Sequence, residues 1–155
     1  MQLKNIGTVK ALQKIRHFCA YQERNHMEVK QKLYSFGLYK PEVERILSEL
    51  IAENYLNEER YALAFAGGKF RQLKWGKVKI KYALKQSGVS EYCIKKALQG
   101  IDEDAYSETI KKLYEKKWKT LSGTKVSKEQ KVRNYLLQKG YAHSEISSFV
   151  CNVKE

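Results

Sequence analysis

Apolar residues along this chain recur at intervals of three and four, the spacing of one helix face, and alternation at a period of two is scarce. The pattern predicts helix after helix. One arrangement is written three times. Gly37, Gly88 and Gly140 each follow a leucine by four residues (Leu33, Leu84, Leu136) and a β-branched residue by eight (Val29, Ile80, Val132). Leu38, Val89 and Tyr141 come directly after these glycines, and Val43, Ile94 and Ile146 stand six residues beyond them. Positions −8 and −4 share one helix face, and the glycine suits the left-handed residue that ends a helix. The apolar residues beyond it then belong to a second helix that packs back on the first. The glycines are 51 and 52 residues apart, so the repeat is about as long as a stacked helical unit.

Start signals fit this framing. Asn25 with Glu28, and Ser127 with Gln130, have the spacing of capping boxes before the first and third units. Pro41 suits a first helical turn, and Ser90 and Ser144 can cap the second helices of the later units. Asn57 with Glu58 and Glu59, and Asp102 with Glu103 and Asp104, can open a third helix in each of the first two units. Their carboxylates then meet the positive end of the helix dipole. The expected fold is all-α: tandem three-helix repeats, three helix-turn-helix-like units in an elongated, curved array. The divisions are a leading helix in 1–25, repeat 1 in 26–75, repeat 2 in 76–124 and a truncated repeat 3 in 125–155.

Charge changes the picture most. Lys and Arg total 30 against 17 Asp and Glu, a formal net charge of +13. Self-repulsion of that size strains a compact state, and a polyanion relieves it, so nucleic acid is the first partner to consider. No apolar run approaches the roughly 18 residues that span a bilayer. The start, MQLKNIGTVKALQKI, lacks the apolar core of a signal peptide, and a cytoplasmic location is expected. Cys19, Cys93 and Cys151 are widely spaced without a CxxC and read as reduced, buried or half-buried thiols.

The segment 69–88, KFRQLKWGKVKIKYALKQSG, holds Lys69, Arg71, Lys74, Lys77, Lys79, Lys81 and Lys85 and no acid. Past Gly76, the residues Ile80, Ala83, Leu84 and Ser87 fall on one arc, whereas Lys77, Lys81 and Lys85 form a ridge clear of it. Like charges four apart weaken an isolated helix, a local penalty that a bound anion removes. A second basic set comprises Lys111, Lys112, Lys116, Lys117 and Lys119, and Lys125, Lys128, Lys131 and Arg133 continue it. For any single lysine a solvated face is the plainer reading; for the whole collection, binding is the better one. Phe70, Trp75 and Trp118 are read first as core closers and second as platforms for exposed bases. Arg60 is expected to pair with acids near its helix start.

Chemistry is poorly supported. His17, His26 and His143 are isolated, and none sits at metal-ligand spacing with a cysteine or carboxylate. Gly67-Gly68-Lys69 departs from a P-loop, with Leu63 in place of the first glycine and Phe70 in place of the Ser/Thr. No nucleophile stands beside a base, and no cofactor or metal ligand set is visible.

The stretch 54–98, NYLNEERYALAFAGGKFRQLKWGKVKIKYALKQSGVSEYCIKKAL, resembles the RecX family of bacterial RecA modulators. Tyr55, Leu56, Arg60, Tyr61, Ala62 and Phe65 match that family's G-Y-L-D-D-x-R-F-A-x-x-F. Lys69 and Arg71 fall in its basic segment, and Gly76, Ile80, Leu84, Gly88 and Val89 match K-G-x-x-x-I-x-x-E-L-x-x-K-G-I. Upstream, Arg24-Asn25-His26-Met27-Glu28-Val29 is similar to R-x-x-S-x-x-E-L, and downstream Lys139-Gly140-Tyr141 is similar to R-G-Y. Asn54 and Asn57 replace a Gly and an Asp, Lys77 stands where Pro is usual, and Ala83 replaces a Glu. The ordered set carries the resemblance from about residue 9 onward.

The resemblance implies a non-enzymatic protein of tandem three-helix repeats. It would lie in the helical groove of a RecA–DNA filament and restrain filament growth, ATP hydrolysis and strand exchange. The expected partners are the RecA filament and single- and double-stranded DNA, with the protein itself a monomer away from membranes. The residues expected to make the contact are Lys69, Arg71, Lys74, Lys77, Lys81, Lys85, Lys111, Lys112, Lys116, Lys119, Lys128 and Lys131. The alternative is a general DNA-binding protein built from helix-turn-helix-like units, with no RecA partner.

Overall fold

The computed structural model describes residues 4–153, with the side chains of 150–153 left aside. Among the described residues the regular structure is entirely helical. The helices are α1 (Thr8–Tyr21), α2 (His26–Ser35), α3 (Lys40–Ala52), α4 (Glu58–Leu73), α5 (Lys77–Gln86), α6 (Glu91–Gln99), α7 (Glu103–Thr120), α8 (Lys125–Lys139) and α9 (His143–Val153).

Short polar side chains start these helices by accepting backbone N–H groups that have no partner in the first turn. Asn25 accepts from the Glu28 amide at 2.7 Å, Asn57 from Arg60 at 2.9 Å and Asp102 from Ala105 at 2.8 Å. Ser90 accepts more weakly from Cys93, at 3.4 Å. Pro41 sits in the first turn of α3, where the Tyr39 amide donates to Glu42. Two starts differ from the expected ones. Thr124, not Ser127, caps α8, and Ser127 is the donor that it satisfies at 3.2 Å. Ser144 lies inside α9, where Glu145 reaches back to accept from the Ala142 amide at 2.8 Å. The three repeat glycines adopt φ of 81°, 79° and 103° and turn α2 into α3, α5 into α6 and α8 into α9. All of the apolar residues named at −8, −4, +1 and +6 around them are buried.

The packing places unit boundaries one helix earlier than the frame 26–75, 76–124 and 125–155. Each glycine-centred pair is completed by the helix before it. Helix α1 packs on α2 and α3, α4 packs chiefly on α6 as well as on α5, and α7 packs on α8 and α9. The leading helix is thus the first helix of the first unit, and the third unit has three helices rather than a truncated pair. Phe70 shows why α4 goes forward: it is buried in the core of α5 and α6, and its ring meets Tyr106 of α7 at 5.7 Å.

Two cores result. Ala11, Ile15, Val29, Leu33, Val43, Ile46, Leu50 and Leu56 close the first unit alone. A second, continuous core runs from Tyr61 to Ile146 through the other two units. The accessible surface, 10090 Å², exceeds the about 8,100 Å² expected of a compact 18.1 kDa monomer, as an array of small units requires.

Units two and three meet along a seam of main chain. The Gly76 amide donates to the Lys139 carbonyl at 2.8 Å, and the Val78 amide donates to the Gly140 carbonyl at 2.9 Å. A Cβ on Gly76 would stand 2.3 Å from the Gly140 carbonyl group, so only glycine admits this approach. The Tyr141 hydroxyl donates to the Lys74 carbonyl at 2.7 Å. The Tyr106 hydroxyl accepts from the Lys77 amide at 3.0 Å and donates to Glu145 at 3.2 Å. Units one and two are joined by side chains instead: the Asn25 amide donates to the Tyr61 hydroxyl at 3.2 Å, and Arg60 pairs with Glu23.

Candidate nucleic-acid interface

The seam positions a groove of about 410 Å³ between the end of α4, the last turns of α7 and α8. Lys74, Lys116, Lys117 and Lys139 line it together with Tyr135, and no carboxylate is among its lining residues. Each cation is set by its element. Lys74 ends α4 in the left-handed conformation, with φ of 60°, and its ammonium donates to the Arg71 carbonyl at 3.0 Å. Lys139 donates to the Leu73 carbonyl at 3.2 Å, across the seam. Lys117 lies 5.0 Å and Lys139 6.0 Å from the centre of the Tyr135 ring, whose electron-rich face attracts them. Lys116 is exposed on α7.

Beyond the groove, the basic flank continues along α8. Lys128, Lys131, Tyr135 and Lys139 are spaced three and four apart, so they follow one flank of the helix. Lys128 lies 4.2 Å over the Trp118 ring, which in turn stacks on Tyr114. Such an array offers several ammonium groups to a line of phosphates, with aromatic rings between them.

The structure separates the other expected contacts. Lys111 and Lys116 are five residues apart, roughly 140° around α7, so they flank opposite sides of that helix. Lys77 is half-buried, lies 4.7 Å over the Tyr106 ring and pairs with Glu103 at 3.3 Å. Lys85 pairs with Glu91 at 3.7 Å. The ridge Lys77–Lys81–Lys85 therefore is not free of acids: they arrive from α6 and α7, outside the segment 69–88. Lys81 and Lys85 do line a shallow pocket with Lys95, but Glu91 shares it. Lys69 lies near both Phe65 and Trp75, and Lys79 also sits 4.7 Å from Trp75. With those cations over it, Trp75 is engaged inside the protein. Arg71, Lys112, Lys119 and Lys131 are exposed.

Lys139 and Tyr135 were outside the expected contact set, and so was Lys117 as a member of it. For Tyr135 and Lys139 the signal was present in the spacing from Lys128 to Lys139, which places both on one flank of α8, whereas Lys117 reaches the groove from α7. Burial raises the pKa of the Tyr106 and Tyr141 hydroxyls, which keeps both neutral and bonded in the seam below the groove. Among the described residues no three His, Cys, Asp or Glu side chains gather as metal ligands, and no helix is long and apolar enough to cross a membrane.

Tandem three-helix units of this kind define a family of regulatory proteins. The chain matches "RecX, second three-helix domain" over residues 57–98 and "RecX, third three-helix domain" over residues 104–150, spans that coincide with α4–α6 and α7–α9. It belongs to the RecX family. It is 34% identical over 130 residues to the Regulatory protein RecX of Clostridium perfringens strain 13, covering 82% of this chain and 60% of that one. To the Regulatory protein RecX of Halalkalibacterium halodurans it is 30% identical over 138 residues, covering 88% and 52%. The chain thus spans about half to three fifths of the length of these curated relatives. The crystal structure of RecX from Lactobacillus salivarius superposes with a TM-score of 0.87 at 23% identity, covering 95% of this chain and 96% of that one. A second structure, a regulatory protein RecX, gives a TM-score of 0.83 at 25% identity, covering 92% and 70%.

Proposed function

We propose that this protein is a non-enzymatic regulator that binds a RecA–DNA filament in the cytoplasm, restraining ATP hydrolysis and strand exchange. The observation that carries the reading is the acid-free groove of Lys74, Lys116, Lys117 and Lys139 at a rigid seam. A fixed row of cations suits a fixed row of phosphates, and a seam stapled by main-chain bonds holds their spacing. Family membership supports the choice of filament rather than bare DNA. Lys74, Lys116, Lys117 and Lys139 make the central contact, Lys128 and Lys131 extend it along the flank of α8, and Lys81, Lys111, Lys112 and Lys119 lie outside the groove as peripheral charges.

The second reading, plain binding of single- or double-stranded DNA without RecA, draws on the same groove. The two separate on protein contact. In a titration of DNA-dependent ATP hydrolysis by the cognate RecA, a filament regulator inhibits well before the DNA is coated. Inhibition that appears only once all DNA is covered, and that excess DNA relieves, would leave simple competition and remove the regulator reading.

A further inference from the structure

The first unit carries a second cationic groove, of about 370 Å³, that plays no part in the seam. It is lined by Lys14, His17, Phe18 and Tyr21 of α1, by Arg24, and by Lys32 and Phe36 of α2 and its end. The α1 residues recur at i, i+3, i+4 and i+7, so one stripe of the helix faces it. The first 22 residues of the chain contain no acid. No carboxylate lines it; Glu28, in an adjoining shallow depression, pairs with Arg24 at 3.7 Å.

Arg24 is held in an uncommon pose. Its guanidinium carbon lies 3.7 Å from the centre of the Phe18 ring, too close for an edge approach, so it sits over the face. Its Nε donates to the Phe18 carbonyl at 3.1 Å, which fixes it there. Lys32 approaches the Phe18 and Phe36 rings at 5.6 Å and 5.7 Å, and Lys14 approaches Phe36 at 5.8 Å. Phe18 and Phe36 pack partly on the core, but Tyr21 is 79% exposed and closes nothing. Cations, a planar guanidinium and an exposed aromatic ring are the components with which proteins hold an unpaired nucleotide.

We propose that this groove binds single-stranded nucleic acid, stacking a base on exposed Tyr21 beside the partly buried Arg24–Phe18 pair and holding phosphates on Lys14 and Lys32. A duplex keeps its base faces stacked inside and can use only the lysines, so the aromatic half commits the site to a single strand. The inference extends the nucleic-acid reading of the seam groove to the first unit. It rests on that reading for the kind of polymer and on its own residues for the place. A strand held at both grooves gains the second contact at high effective concentration.

The test uses the full chain and a fluorescein-labelled 20-mer oligothymidylate, with a duplex of equal length alongside, followed by anisotropy. Tyr21→Ala weakens single-strand binding at least about fivefold, the low end of stacking on an aromatic side chain, and changes duplex binding less than twofold. Lys14→Glu with Lys32→Glu weakens both. Photo-crosslinking to a 4-thiothymidine strand labels the tryptic peptide 17–24. Unchanged single-strand affinity in Tyr21→Ala, or an equal loss on duplex, overturns the proposal. So does a fold-competent Tyr21→Ala that keeps its strand affinity while losing an acidic peptide, which would assign the groove to protein. Lys74→Glu with Lys116→Glu, measured in parallel, shows separately whether the seam groove binds.

Discussion

Replacing Gly76 by alanine tests the seam on which the lysine groove is built. The new Cβ would stand 2.3 Å from the carbonyl carbon and oxygen of Gly140 and 2.5 Å from the Tyr141 nitrogen. All three are main-chain atoms, so no rotamer change relieves the clash. Relief demands that the segments part by about 1 Å, which takes the 2.8 Å and 2.9 Å seam bonds of Gly76 and Val78 beyond hydrogen-bonding range. The 2.7 Å bond from Tyr141 to the Lys74 carbonyl goes with them. At about 1 kcal/mol for each bond, the loss is about 3 kcal/mol. Gly76 has φ −79° and ψ 166°, open to alanine, so a stiffer unfolded chain returns about 0.4–1 kcal/mol. The net loss of roughly 2 kcal/mol lowers the melting temperature of the unit α4–α9, residues 58–153, by about 8–16 °C. Circular dichroism at 222 nm follows the transition, with Gly68→Ala as the control. Gly68 lies within α4 with nothing near its would-be Cβ, and alanine there stabilises by up to about 1 kcal/mol. A Gly76→Ala protein that melts with the wild type, or as high as Gly68→Ala, would refute the steric reading of the seam.

Other outcomes follow from the same geometry. Lys74→Gln with Lys116→Gln makes the salt dependence of duplex binding shallower, lowering the slope of log K against log salt by about 2. Anisotropy titrations between about 50 and 200 mM salt measure it, and an unchanged slope removes both lysines from the contact. The raised hydroxyl pKa of Tyr141, caused chiefly by burial, means the folded state holds that proton more tightly than the unfolded chain does. Its contribution is complete below the unfolded value of about 10 and is lost as pH rises above it. Melts at pH 9 and pH 11 will therefore show a larger drop for the wild type than for Tyr141→Phe. Burial likewise raises the Cys19 thiol, and that side chain is only 6% exposed. Alkylation of the native protein at pH 8, read by peptide mass, reaches half-buried Cys93 before Cys19, and equal rates at these two would contradict the packing of α1.

The repeat itself was legible because a helix, a tight turn and a second helix leave a local imprint. Leu84, Gly88 and Ile94 are tied to one another by spacing alone, and Asn25, Asn57, Ser90 and Asp102 cap where their type suggests. Thr124 and Ser127 show the limit: both are hydroxyl residues three apart, and spacing alone does not say which one accepts. The phase of the units was less accessible. An amphipathic helix such as α4 announces that it needs a partner but not whether that partner precedes or follows it, and Phe70 settles the matter through contacts with α6 and α7. Long-range pairs were out of reach for the same reason. Glu103 neutralises Lys77 across 26 positions of sequence, and Lys74 meets Lys139 only because two glycines let their strands of backbone touch.

That α1–α3 keeps a core of its own, while α4–α9 share another, gives the molecule one natural joint near residues 53–57. Tension on the chain, a protease or a bend imposed by a curved polymer will act there first, since among the described residues the ties across it are Asn25–Tyr61, Arg60–Glu23 and the bonds from Arg60 to Asn54 and Tyr55. The head can then pivot to follow the pitch of what it lies along. The tail keeps its ammonium spacing, like a fixed ruler carried on a wrist.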